Sequence, residues 1–265
     1  MTVQVNEKIQ HLPKRQGISG EQMDFGLILD DALAYTRQGV FENTEKWLKL
    51  IIAILCLGIP LNGYVMRIYR GLHPAPEVDH WGSLFVDGLK LILLGLVYVI
   101  PVFILYAIMY GGIFLAAMSE SPTHFDAAMK SGWAPNIGLM VLIFIVEIGI
   151  GLIMPVASIR FARTNSFSEG FNVGAIFGYI GKIGWINYII ALVLIALVIA
   201  IPICILVLGF ILLGGITIAI FKLNSIAILG FIFAMILIIL ILAPLFAVFQ
   251  ARYMTRVYDS AVQEG

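Results

Sequence analysis

The chain has 265 residues, of which 61% are hydrophobic and only 12% charged, and its 16 basic residues balance 16 acidic ones. A soluble globule of this size cannot hide so much apolar surface, and a net charge of zero gives no footing for a nucleic-acid partner. Helices satisfy their own backbone groups in lipid, so the composition describes an all-α, polytopic transmembrane helix bundle.

Residues 1–22 are polar and lack an apolar core segment, which predicts a mobile tail and no cleavable signal peptide. Residues 23–46 place Phe25, Leu29, Ala32 and Leu33 on one side and Asp24, Asp30, Asp31 and Arg37 elsewhere, the pattern of an interfacial amphipathic helix. A single transmembrane domain follows over 47–256, and 257–265 reads as a short tail. Of the 32 charges, thirteen fall in residues 1–49, so the rest of the chain is free to carry long uncharged runs.

Five hydrophobic segments are expected at about 47–66, 92–117, 136–159, 188–213 and 226–250, each near the roughly 20 residues that a bilayer core requires. The lead helix 47–66 contains Gly58-Ile-Pro60-Leu-Asn62-Gly63, which also suits a re-entrant loop; five spans are kept here, with four as the alternative. The uncharged stretch between Lys182 and Lys222 is too long for one straight span, and its middle, Ile199-Ala200-Ile201-Pro202-Ile203, has no turn residues. It reads as one kinked helix, broken after Gly214-Gly215 and entered through Trp185, Asn187 and Tyr188.

The chain repeats itself. Pro101 followed by Gly111-Gly112 echoes Pro202 followed by Gly214-Gly215. A late proline and then two arginines occur three times, as Pro60 with Arg67 and Arg70, Pro155 with Arg160 and Arg163, and Pro244 with Arg252 and Arg256. These prolines lie 95 and 89 residues apart, so the lead helix is followed by two tandem helix pairs in parallel orientation, about 81–163 and 166–256. The prolines and glycine pairs are the expected helix breaks and hinges. The three arginine ends, with Lys90 and Lys182, put eight positive charges on one side against Lys130 and Lys222 on the other. The positive-inside rule places the arginine side in the cytoplasm.

Trp47-Leu-Lys, the run from Gly58 through Gly63-Tyr64 to Arg67, Trp81-Gly-Ser-Leu-Phe-Val-Asp87-Gly88-Leu-Lys90, and Ala243-Pro-Leu-Phe with Arg252-Tyr and Tyr258-Asp259 resemble a family of archaeal and bacterial multi-spanning membrane proteins known as domain of unknown function 4013. The resemblance covers about residues 24–260. It implies a prokaryotic cell-membrane protein and carries over no catalytic or ligand residues.

The sharpest candidate for function is Glu147, the one charge in its segment. A carboxylate near the membrane midplane is costly unless paired or neutral. It reads either as an ion, proton or polar-solute site or as a structural clamp, with Tyr98, Tyr106 or Tyr110 as partners, and Gly149 and Gly151 beside it permit close helix approach. Arg67, Arg70, Arg160, Arg163, Arg252 and Arg256 suit anionic lipid head groups or a partner's acidic surface, or serve only as topology anchors. The loop His73-Pro-Ala-Pro-Glu77-Val-Asp79-His80 matches no zinc spacing and reads as an acidic solvated loop. Cys56 and Cys204 lie in apolar runs, so no disulfide is expected. No metal or cofactor is expected, and no hydrolase, protease or nucleotide-binding motif is present. The expectation is a non-enzymatic integral membrane protein, leaning to transport of a small solute, ion or lipid. The alternative is a scaffold or accessory subunit that binds membrane lipids, a membrane-protein partner or a second copy of itself.

Overall fold

The structure, a computed structural model, describes residues 23–118, 123, 137–221 and 225–263. The tail 1–22, Lys130 and Lys222 lie outside them. Among the described residues there are eight α-helices: α1 Phe25–Thr36, α2 Thr44–Leu55, α3 Ile59–Tyr69, α4 Trp81–Met118, α5 Ile137–Thr164, α6 Val173–Ile183, α7 Trp185–Phe221 and α8 Ser225–Gln263. Four of these, α4, α5, α7 and α8, are long and apolar enough to cross a membrane, and the molecule is a membrane helix bundle.

The lead segment differs from its expected form. It is not one span but a hairpin of two arms, α2 with 12 residues and α3 with 11. At about 1.5 Å per residue neither arm reaches the ~30 Å of a bilayer core. The turn is made by Leu57 (φ 59°) and Gly58 (φ 69°), two successive residues in the left-handed region that no helix continues through. Pro60 then starts α3, where its missing N–H costs nothing. Both arms are tied to the same loop: Lys46 at the start of α2 pairs with Glu77 at 2.9 Å, and Arg67 at the end of α3 pairs with Asp79 at 2.8 Å. The hairpin therefore enters and leaves on one side, as in the re-entrant alternative.

Pro60 is the only one of the expected proline breaks that stands at an actual break. Pro101, Pro155, Pro202 and Pro244 lie inside helices that run on through them, and α7 continues past Gly214-Gly215 to Phe221. Helices in lipid tolerate proline when neighbours satisfy the loosened carbonyls. Here aromatic donors do so at matching positions. Tyr188 Oη donates to the Leu152 carbonyl at 2.7 Å, three residues before Pro155, and Trp47 Nε1 donates to the Ile241 carbonyl at 3.0 Å, three residues before Pro244.

Element limits also shift. The amphipathic stretch from Trp81 is the first part of α4, with no break before the apolar run. Helix α6 is set off from α7 by Gly184 (φ 87°). Residues 257–263 are not a tail but the last turns of α8.

Burial concentrates at one end, the base. There α1, α6, the first turns of α4 and α7 and the last turns of α5 and α8 share three adjoining apolar cores. Thus α4 and α7 lead away from the base, and α5 and α8 return to it. The closest approach is between α3 and α4. A Cβ on Gly63 would stand 2.0 Å from the Leu84 carbonyl oxygen, and one on Gly88 1.8 Å from that of Ile59. Only glycine fits either position, which gives the Asp87-Gly88 pair its place in the fold. The outer halves of the long helices are sparse by contrast: in the most apolar window of α5 only 6% is buried.

Candidate functional site

Three features are candidates: the arginine base, Glu147, and a cleft between helices.

The base gathers all six arginines of the repeated pattern, and each meets a carboxylate of the chain. Arg67 bonds Asp79, the Glu77 carbonyl and Ser83 Oγ. Arg70 bonds Asp87 at 2.6 Å and reaches the Ala162 carbonyl at 3.3 Å, linking α3 to α5. Arg160 is paired with Glu169. Arg163 pairs with Asp259 at 2.6 Å, donates to the Tyr69 carbonyl at 3.0 Å and stacks on the Tyr258 ring. Arg252 holds Asp31 with two bonds, at 2.7 and 3.2 Å, and lies 4.6 Å over the Tyr35 ring. Arg256 shares Asp31 at 3.5 Å.

The local causes are visible in the sequence. Arginines three or four residues apart project from one face of a helix end, and Asp24 and Asn172 cap α1 and α6, the helices beside which Asp31 and Glu169 meet those ends. The hydrogen bonds from Arg67 and then His80 hold the Asp79 carboxyl below its ordinary range. Those from Arg160 and then Asn172 do the same for Glu169. Burial pushes the Tyr35 phenol up to about 12, so it stays neutral and donates to the Leu72 carbonyl. The expected acidic loop is largely exposed and also serves as a fastening: Glu77 and Asp79 pair with Lys46 and Arg67.

Glu147 accepts a hydrogen bond from Tyr106 Oη at 3.0 Å, which joins α5 to α4. The carboxyl does not face the bundle interior; it is exposed on the outer face of that helix pair. Gly149 and Gly151, expected as contact points, have open space where a Cβ would be. So do Gly111, Gly112 and Gly215, whereas Gly214 has the Phe231 ring 3.8 Å away.

The cleft, about 720 Å³, separates the α4–α5 pair from the α7–α8 pair. Ile148, Gly151 and Pro155 of α5 form one wall and Ala196, Ala200 and Cys204 of α7 the other. Gln250 of α8 is the one amide side chain that reaches it, and Glu147 is not among its lining residues. Sequence reasoning missed this cleft, since small residues on α5 and α7 carry no signal until the helices are placed side by side. A second, polar hollow of about 440 Å³ lies in the base between Asp31, Tyr35, Lys46 and His73.

Residues 48–213 match the family model described as protein of unknown function (DUF4013). No curated protein and no solved structure matches the chain. The chain belongs to the DUF4013 family.

Proposed function

We propose that this DUF4013 member is a non-enzymatic, multi-pass scaffold or accessory subunit of a prokaryotic cell membrane, and that its cleft receives a lipid acyl chain. The base would lie on the cytoplasmic side, with the two helix pairs as tandem copies rising from it.

The observation that supports this reading is the separation of polar from apolar groups. The six arginines are already paired with Asp31, Asp79, Asp87, Glu169 and Asp259, with Arg160 Nε and Arg256 Nε left without a hydrogen bond among the described residues, so the base chiefly binds itself. The cleft at membrane depth is walled by aliphatic side chains with Gln250 at one place. A path for a polar solute needs a succession of polar groups facing a cavity. An acyl chain needs only apolar walls and an opening toward lipid, and a volume of about 720 Å³ is ordinary for a small-molecule site.

Transport, the other reading, draws on one observation: the carboxyl of Glu147 stands about 20 Å along its helix from Arg160 and is held by Tyr106. One experiment separates the two. The protein is purified in lipid nanodiscs, analysed by native mass spectrometry, and reconstituted in vesicles. The scaffold reading expects co-purifying phospholipid, its loss in Ala200→Phe, and no proton flux. A proton flux that Glu147→Gln abolishes would replace it with transport.

A further inference from the structure

The outer face of the α4–α5 pair carries polar groups that lipid does not satisfy. On α4, Phe103, Tyr106, Tyr110 and Phe114 follow one another at spacings of three and four residues and all are exposed, by 71, 37, 47 and 64%. Such spacings line one helix face. Beside them on α5, Met140, Phe144 and Glu147 form a parallel exposed row. Tyr106 and Tyr110 stack with ring centroids 6.0 Å apart. Glu147 Oε1 accepts the Tyr106 hydrogen bond; Oε2 has no donor among the described residues. Tyr110 Oη has no hydrogen-bond partner among them either. One free acceptor and one free donor thus sit on the same face at membrane depth, where water is absent to complete them.

We infer that this face docks on the same face of a second copy of the chain, Tyr110 of each copy donating to Oε2 of the partner's Glu147. A surface that carries both halves of a complementary pair is what a two-fold interface requires, because every contact is then made twice. A two-fold axis along the membrane normal keeps each residue at its own level. Tyr110 stacks one turn farther from the base than Tyr106, ring centroids 6.0 Å apart, so its bond to the partner's Glu147 runs obliquely to Oε2, the carboxylate oxygen that Tyr106 leaves open. The aromatic row supplies the apolar contact around them. A partner with a membrane-embedded cation would satisfy Glu147 but leave the Tyr110 proton without an acceptor, so a second copy fits both groups. The inference is independent of what the cleft holds.

The test is subunit counting by single-molecule photobleaching of the full chain, labelled at its C-terminus, in dilute vesicles. Wild type is expected to bleach mainly in two steps. Tyr110→Phe and Glu147→Leu should each weaken association about tenfold, since two interhelical hydrogen bonds are lost per dimer. The double variant should be no weaker than Glu147→Leu alone, because both changes remove the same bond. Tyr110→Phe should melt like wild type, as its hydroxyl holds nothing among the described residues. Ile205→Phe, on an exposed part of α7, should dimerise like wild type. Single-step bleaching of wild type, undiminished association of Tyr110→Phe, or a different protein captured on this face would overturn the inference.

Discussion

The base and the outer halves of the long helices belong to the same elements but are held differently. In the base, Tyr64, Tyr188, Tyr253 and Phe161 are fully buried, and every arginine of the repeated pattern has a carboxylate. In the outer halves, Ile108, Leu115, Phe144 and Ile205 are each more than 59% exposed, and the only side-chain hydrogen bond between helices at that depth, among the described residues, joins Tyr106 to Glu147. The difference shows where specificity resides. Lipid tails solvate an aliphatic surface as well as another helix does, so the outer halves gain little from packing on each other. The base, with ten or more polar side chains at its surface and interior, must match donors to acceptors and therefore fixes the arrangement.

The largest expected effect sets one glycine against another. Gly88→Ala should cost about 3 kcal/mol or prevent folding, because its Cβ would overlap the Ile59 carbonyl of a backbone that cannot retreat. Gly112→Ala should be neutral or gain up to about 1 kcal/mol from helix propensity, with open space at its Cβ. Thermal melting in detergent checks both; equal costs would break the contrast between the two regions.

A smaller loss should follow Arg252→Ala, about 2 kcal/mol, since Asp31 would keep only the 3.5 Å contact with Arg256. Lysine at that position should recover less than half of the loss, because it can neither grip both oxygens nor stack on Tyr35. Full recovery by lysine would reduce the pair to a simple charge contact and sharpen the account of the base accordingly.

The smallest effect is acid sensitivity. The folded-state carboxyls of Asp79 and Glu169 titrate below their ordinary range. Their stabilising contribution is thus present in full above the unfolded value, near pH 4, and is lost as pH falls from there through the lowered folded value. Melting temperature should drop between pH 5 and pH 3, and the double variant Asp79→Asn, Glu169→Gln should show a flatter drop from a lower start. An unchanged slope would remove these two pairs from what fastens the base.

Uncharged runs marked the four long helices, because length and lack of charge are what lipid demands of them. The limits were less legible. Lys90 looked like a boundary, yet α4 begins at Trp81, since an amphipathic helix and a span can share one continuous backbone. The break in the lead segment rests on the φ angles of Leu57 and Gly58, which Gly58-Ile-Pro60 hinted at and could not fix. The arginines stood out by spacing, but their partners did not: Asp31 lies 221 residues before Arg252, and no local pattern joins them. For Glu147 the tyrosines of α4 were in view as partners, whereas the direction it faces depends on how α4 and α5 turn about each other.

The Asp31–Arg252 pair also has a bearing on the order of synthesis. The acid is made 221 residues before its guanidinium; at about 5–20 residues per second that interval is roughly 10–45 s. Throughout it α1 has no place to settle, because the last turns of α8 that cover Ile28 and Ala32 do not yet exist. Long apolar helices made in that interval have only one another and lipid to pack on, and the core around Ile28 and Ala32 is completed only when the last turns of α8 follow. A chain ending at Gln250 would keep the apolar length of every long helix and lose the Arg163–Asp259 and Arg252–Asp31 pairs of the base.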